Sequence, residues 1–232
     1  MGRILGQNQF EYKSLLKNFK QIKPKNIMKP GRADQGSRDT VMNRLLKMTL
    51  EELGLSTEKL SKSEVNTNDL IKEIIKDLQG QDKFKNIKFH LWNLPTARGD
   101  KDQIKHLFKQ IIQNACLYNR SKHPEIIITA EETNGKVVFS FQDNGLGIEQ
   151  SLQSEIFKPF NRGNIKNECK GVGLGLTICK YITRNHDGEI WVQSIGQGNG
   201  STFYVSLPCL QTPQIGYQWD HVEHSVSATM TA

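Results

Sequence analysis

The chain has 232 residues, 36% of them hydrophobic and 24% charged, with a formal net charge of +7. That length holds one well-buried domain and an extension, and the composition is ordinary for a soluble globular protein. No apolar run reaches membrane-spanning length, MGRILGQNQF is no signal peptide, and Gly6 breaks the myristoylation pattern that Gly2 would open.

Residues 1–40 read as a basic, mostly flexible arm. Lys17, Lys20, Lys23, Lys25 and Lys29 fall in a stretch with no acidic residue, and Pro24, Pro30, Gly31 and Gly36 interrupt any long helix. A short helix fits residues 10–22. Such a charge run suits nucleic acid, an anionic membrane surface or an acidic partner. Without aromatic interleaving to stack bases, nucleic acid is disfavoured and a solvated arm fits best.

Residues 41–56 are helical by pattern, with Met42, Leu46, Leu50 and Leu53 on one face and Leu45 beside them. The stripe packs either on a helix of a second chain, making a homodimer through residues 41–56, or back onto its own domain. A second helix spans 68–79, with Asn68 as N-cap and Gly80 as stop. Residues 84–91 alternate like a half-buried strand. Asp100 starts a helix to about Tyr118, whose buried side is Ile104, Leu107, Phe108, Ile111, Ile112 and Ala115.

Two strands, 125–132 and 136–143, are joined by the turn Thr133-Asn134-Gly135. A short helix is expected near 150–156. The polar, basic run 161–170 has the composition of a mobile lid. The helix after Gly171 runs to about Asn185, and EIWVQS and STFYVSL close the sheet as a hairpin around 196–200. The tail, 209–232, is polar and expected to be disordered. Cys116, Cys169, Cys179 and Cys209 form no CxxC pair, which points to a reduced, cytoplasmic protein whose cysteines pack as small hydrophobes.

Three motifs then stand in a fixed order. Asn114 lies in the helical run LFKQIIQNACLY. Asp143-Asn144-Gly145-Leu146-Gly147-Ile148 follows a strand. Gly171-Val172-Gly173-Leu174-Gly175-Leu176 opens a helix. An Asn side-chain oxygen is a hard ligand suited to a magnesium ion that phosphates also hold. An ionised Asp only accepts hydrogen bonds, which suits the exocyclic amine of adenine. Glycines let a backbone turn and come close to a base or phosphate, and a helix beginning there adds its positive end. GVGLGL is not GxGxxG and no GxxxxGK[ST] occurs, so the dinucleotide and P-loop fingerprints fail.

In this order and spacing the motifs resemble the N, G1 and G2 boxes of the sensor histidine kinase ATP-binding domain, in a style similar to phytochrome-type kinases. The likeness covers about residues 66–208 and includes IFKPFNRG, which resembles the F box. It implies an α+β, two-layer α/β sandwich (the Bergerat ATPase fold) with a mixed β-sheet, preceded by a helical segment. Residues 41–64 resemble the second helix of a truncated dimerisation hairpin.

The resemblance also implies ATP and Mg²⁺ as ligands. Asn114 would hold the metal, and Gln110 would orient a phosphate or water one turn earlier. Asp143 would bind adenine, with Thr202 helping through water. Gly145 and Gly147 would shape the adenine pocket, and Tyr118 and Ile148 would line it. Phe160 would anchor the lid, Arg162 would approach the γ-phosphate, and Gly171, Gly173, Leu174 and Gly175 would wrap the phosphates.

Three departures accompany the likeness. Leu117 stands where a basic residue is usual, Val172 where a small polar one is usual, and none of the six histidines fits a phosphoacceptor position. The implied activity is transfer of the γ-phosphoryl of Mg-ATP to a histidine on another chain, with a response regulator or a partner histidine kinase as protein partner. The alternative is a non-catalytic, nucleotide-binding regulator of such a kinase.

Overall fold

The computed structural model describes residues 49–51, 60–161 and 173–209. The basic arm, most of the 41–64 segment, the expected lid and the tail lie outside the described residues. Residues 49–51 are helical, and Leu50 is buried within the main hydrophobic core.

Within residues 60–161 and 173–209, seven strands and three α-helices follow one another as β1 (Ser63–Val65), α1 (Thr67–Gln79), β2 (Lys88–Leu91), β3 (Ala97–Gly99), α2 (Lys101–Leu117), β4 (Glu125–Thr133), β5 (Lys136–Asp143), α3 (Gly175–Asn185), β6 (Glu189–Gln193) and β7 (Ser201–Pro208). The main sheet has the order β2-β4-β5-β7-β6. β2 runs parallel to β4 and every other neighbouring pair is antiparallel, so the sheet is mixed. β1 and β3 form a separate two-stranded ribbon. The three helices form one layer, so the architecture is the expected α+β two-layer sandwich.

The layers join through alternation. Val137, Phe139, Phe141 and Asp143 of β5 are buried, as are Ser201, Phe203, Val205 and Leu207 of β7. These odd-numbered positions face the helices. Phe108 of α2 enters between them, its ring centroid 5.0 Å from Phe139 and 5.4 Å from Phe141. On the opposite face Trp191 stacks on Tyr204 at 5.1 Å. All six apolar positions expected on the inner side of α2 are buried. Of the four cysteines, Cys116, Cys179 and Cys209 are buried as expected, and Cys169 lies outside the described residues.

Several local expectations shift. α1 is capped by Asn66, whose side chain accepts from the Asp69 N–H, and not by Asn68. The Asn68 amide instead donates to Leu94 O at 2.7 Å and accepts from Leu94 N, fastening the loop before β3. The strand expected over 84–91 is only β2, because Asp82–Phe84 form a 3₁₀ turn that buries Phe84. The short helix expected near 150–156 is one 3₁₀ turn, Gln150–Leu152.

His186, fully buried at the end of α3, pins that helix to the start of α2. Its Nδ1 lies 2.8 Å from Ile182 O, and its Nε2 accepts the Asp100 N–H at 3.0 Å. That pairing is met by the neutral ring with its proton on Nδ1. Asp100 in turn caps α2, its side chain accepting from the backbone of Asp102 and Gln103.

Candidate functional site

α2, β5 and α3 deliver the principal residues. Gln110 and Asn114 sit one turn apart on α2, and the Gln110 amide donates to Asn114 Oδ1 at 3.2 Å. One turn further on, Tyr118 ends the helix, and its carbonyl accepts the Leu146 N–H at 3.1 Å. The turn after β5 is thereby held against the end of α2, so the asparagine motif and the aspartate motif adjoin.

Asp143 is the last residue of β5 and is 7% exposed. Its Oδ1 accepts the Gly145 N–H at 2.8 Å and its Oδ2 accepts the Ser201 hydroxyl at 2.7 Å. Burial pushes its carboxyl above the ordinary aspartate value, while the bonds from Ser201 and Gly145 pull it back. A carboxylate has about four lone-pair sites, so each oxygen keeps acceptor capacity for an incoming N–H.

The sequence expectation gave Thr202 a water-mediated part at adenine; the hydroxyl bonded to Asp143 itself is that of Ser201. Ser201 faces Asp143 across the β5–β7 ladder, whereas Thr202 faces Gln142. Neighbouring strand residues point to opposite faces, so Thr202 stands on the sheet face away from the helices.

The glycine turn is welded to the β6–β7 loop. Gly198 N donates to Leu146 O at 2.7 Å and Gly200 N to Gly145 O at 3.1 Å. Ile148 N donates to Ser194 Oγ, which itself donates to Gly200 O at 2.7 Å. Gly147 has φ +71°, and a Cβ there would lie 2.1 Å from Gly196 O. Glycine is required at 147 by a neighbouring strand of backbone and by its left-handed conformation. Ile148 is partly buried against the core. Asn144 ties down the loop after Tyr118: its Oδ1 accepts from Asn119 and from Glu125 N, and its amide donates to His123 O.

The third motif meets the first directly. α3 begins at Gly175, later than the sequence suggested, with buried Leu174 as the residue before it. A Cβ on Gly175 would lie 2.6 Å from Gln110 Nε2, so the glutamine amide occupies the space that the glycine leaves open. Leu174 has no side-chain oxygen and makes no cap. Among the described residues no side chain caps the first N–H groups of α3, and Gln110 lies beside them.

Phe160 takes φ +60° and its N–H donates to Gly173 O at 2.9 Å, while Thr177 Oγ donates to Phe157 O at 3.2 Å. The residues on either side of 162–172 are thus bonded to each other. Arg162 and Gly171 lie outside the described residues. The sequence reading missed Ser201 and Asn144. The second was adjacent to a named residue, and its only local signal was a short polar side chain at a turn.

A mixed sheet under one helical layer, with a buried aspartate on a glycine turn at one end of α2 and the start of α3 against Gln110 two turns earlier, is an arrangement that comparison with known proteins assigns to a class of ATPase domains. Residues 99–211 match the model of the histidine kinase-, DNA gyrase B- and HSP90-like ATPases. The domain belongs to that family, and within it to the catalytic ATP-binding domains of sensor histidine kinases. The chain is 30% identical over 169 residues to phytochrome-like protein Cph1 of Synechocystis sp., covering 73% of this chain and 22% of that one. It is 40% identical over 115 residues to cyanobacterial phytochrome A of Nostoc sp., covering 50% and 15%. The nucleotide-free catalytic domain of the histidine kinase ThkA superposes with a TM-score of 0.54 at 30% identity, covering 64% of this chain and 97% of that domain. The chain thus spans less than a quarter of the two phytochromes it matches.

Proposed function

We propose that this domain binds Mg-ATP and serves phosphoryl transfer from ATP to a histidine on another chain. The observation that carries the reading is the meeting of two chemistries along α2. At Tyr118 the helix joins the turn that follows the buried acceptor Asp143. Two turns earlier the Gln110 amide, which donates to Asn114 Oδ1, lies against the start of α3. One end suits a purine amine and the other an anionic phosphate chain.

The donor set fits the implied ligands. Asp143 would accept from the adenine amine, Ser201 would hold that carboxylate in place, and Tyr118 and Ile148 would line the base, with Gly145 and Gly147 shaping the turn. Asn114 Oδ1 would hold Mg²⁺, and Gln110, already bonded to that oxygen, would orient it. Gly173, Leu174 and Gly175 would present backbone N–H groups to phosphates, with Gly171 and Arg162 joining from outside the described residues. Magnesium, when bound, neutralises phosphate charge. The protein's own part is positioning and dipoles.

Isothermal calorimetry of Mg-ATP on the wild type, Asp143→Asn and Asn114→Asp tests this. Asp143→Asn should weaken binding with or without metal, because an amide presents one oxygen and a donor where two acceptors stood. Asn114→Asp should alter mainly the metal-dependent part. Equal affinity in all three would remove both assignments. Transfer itself is read by incubating the domain with labelled ATP and an intact dimerisation hairpin. A response regulator is the expected downstream partner.

A second reading, a nucleotide-binding regulator of another kinase, is favoured by Leu117. It replaces a usual cation and is packed against the core. Nucleotide binding with no label ever reaching a histidine would select this reading.

A further inference from the structure

Among the described residues, the main sheet ends at an uncovered edge, β2. β2 is an end strand, bonded to β4 alone. Lys88 N donates to Pro124 O and Trp92 N to Ile128 O, so the even-numbered amides of β2 point inward to β4. By alternation, the amides and carbonyls of Phe89 and Leu91 point outward, and among the described residues no partner meets them.

Beside this edge runs a groove between α1 and β2, lined by Lys72, Ile75, Lys76, Gln79, Phe89 and Leu91. Its floor is apolar: Ile75, Phe89 and Leu91 are partly buried against the core. Gln79 closes one end by donating to Ile87 O at 3.4 Å. Charge is sorted across α1. Glu73 turns to the other flank and pairs with Lys105 of α2 at 2.6 Å, and Asp77 follows it one turn on. Lys72 and Lys76 are exposed at the groove, with no acidic partner among the described residues. Trp92, 55% exposed, stands at the end of the same strand.

From this arrangement we propose that the β2 edge accepts an extended, acidic protein segment as an added strand, whose alternate residues on the groove-facing side seat apolar groups on Ile75, Phe89 and Leu91 and bring carboxylates to Lys72 and Lys76. Strand addition needs outward backbone groups and pockets for alternate side chains, and both are present. A second copy of this chain is disfavoured, because edge-to-edge pairing would bring the lysines of both copies together; lysines at an edge act against self-pairing. A nucleic acid would find a single exposed ring, Trp92, and no use for the strand's backbone groups.

The test uses the full chain and three blocked synthetic octapeptides whose second, fourth and sixth side chains share the groove-facing side: Ser-Val-Thr-Glu-Thr-Val-Thr-Ser, the same peptide with lysine in place of glutamate, and the acidic peptide with its second valine replaced by proline. The acidic peptide should bind saturably at low salt and slow amide exchange at Phe89 and Leu91. The proline and lysine peptides should bind at least about tenfold more weakly. Lys72→Glu combined with Lys76→Glu, both on an exposed helix flank, should abolish the preference for the acidic peptide. Absence of saturable binding, equal binding of the lysine peptide, or binding without protection of those two amides would each overturn the proposal.

Discussion

The hydroxyl of Ser201 donates to Oδ2 of Asp143 at 2.7 Å, across a ladder in which the two residues face each other. Removing it strips a buried carboxylate of its hydroxyl donor and leaves only backbone N–H donors. Ser201→Ala should therefore destabilise the domain by about 1–3 kcal/mol and raise the Asp143 pKa further. Thr202→Ala, on the other sheet face, should change neither nucleotide affinity nor Asp143 titration. Denaturant unfolding and NMR titration of the Asp143 carboxyl check both.

Gly175 and Gln110 supply a second prediction. In Gly175→Ala the new Cβ would press on the Gln110 amide, which is the far end of a flexible side chain and can move aside. Helix propensity favours alanine by up to about 1 kcal/mol, so stability should change little. The Gln110–Asn114 bond should break, and Mg-ATP affinity should fall several-fold while metal-free nucleotide binding holds. Calorimetry with and without magnesium reads the difference.

Acidification should loosen the domain through His186, which is buried, and His106, which is partly buried. Burial holds His186 below the ordinary histidine value, with Lys62 adding to the effect and the Ile182 carbonyl, Asp100 and Asp187 opposing it. Burial, with Lys109, pushes His106 down to about 4. The unfolded chain binds these protons near pH 6.5, so their contribution is fully present above that pH. It is lost as pH falls from about 6.5 through the lowered folded-state values. Asp143, shifted upward, works in the opposite direction in acid. Urea unfolding between pH 8 and pH 4 should show the decline, with a shallower slope in His106→Gln.

Asn144 offers a further check. Asn144→Ala removes the bonds to Asn119, Glu125 N and His123 O. The side chain is exposed, so the cost should be no more than about 1–2 kcal/mol. Amide exchange over residues 119–125 should quicken, and nucleotide affinity should drop because Tyr118 begins that loop.

Much of this molecule was legible from local pattern. The 3.6-residue stripe of α2, the β4–β5 hairpin with its Asn134-Gly135 turn and the order of the three motifs each depend on neighbours in sequence. So does the placement of Asp143 at a strand end, because its alternating run stops there. What only the tertiary structure decided is which of two adjacent residues, Ser201 or Thr202, meets Asp143. That choice depends on the β5–β7 register, and a shift of one residue flips every side chain to the other face. The same holds for Gly175 and Gln110, which are 65 positions apart in the chain and meet only because α2 and α3 pack side by side. Side-chain type can be read along a chain, but strand register and helix approach are set by residues far away in sequence.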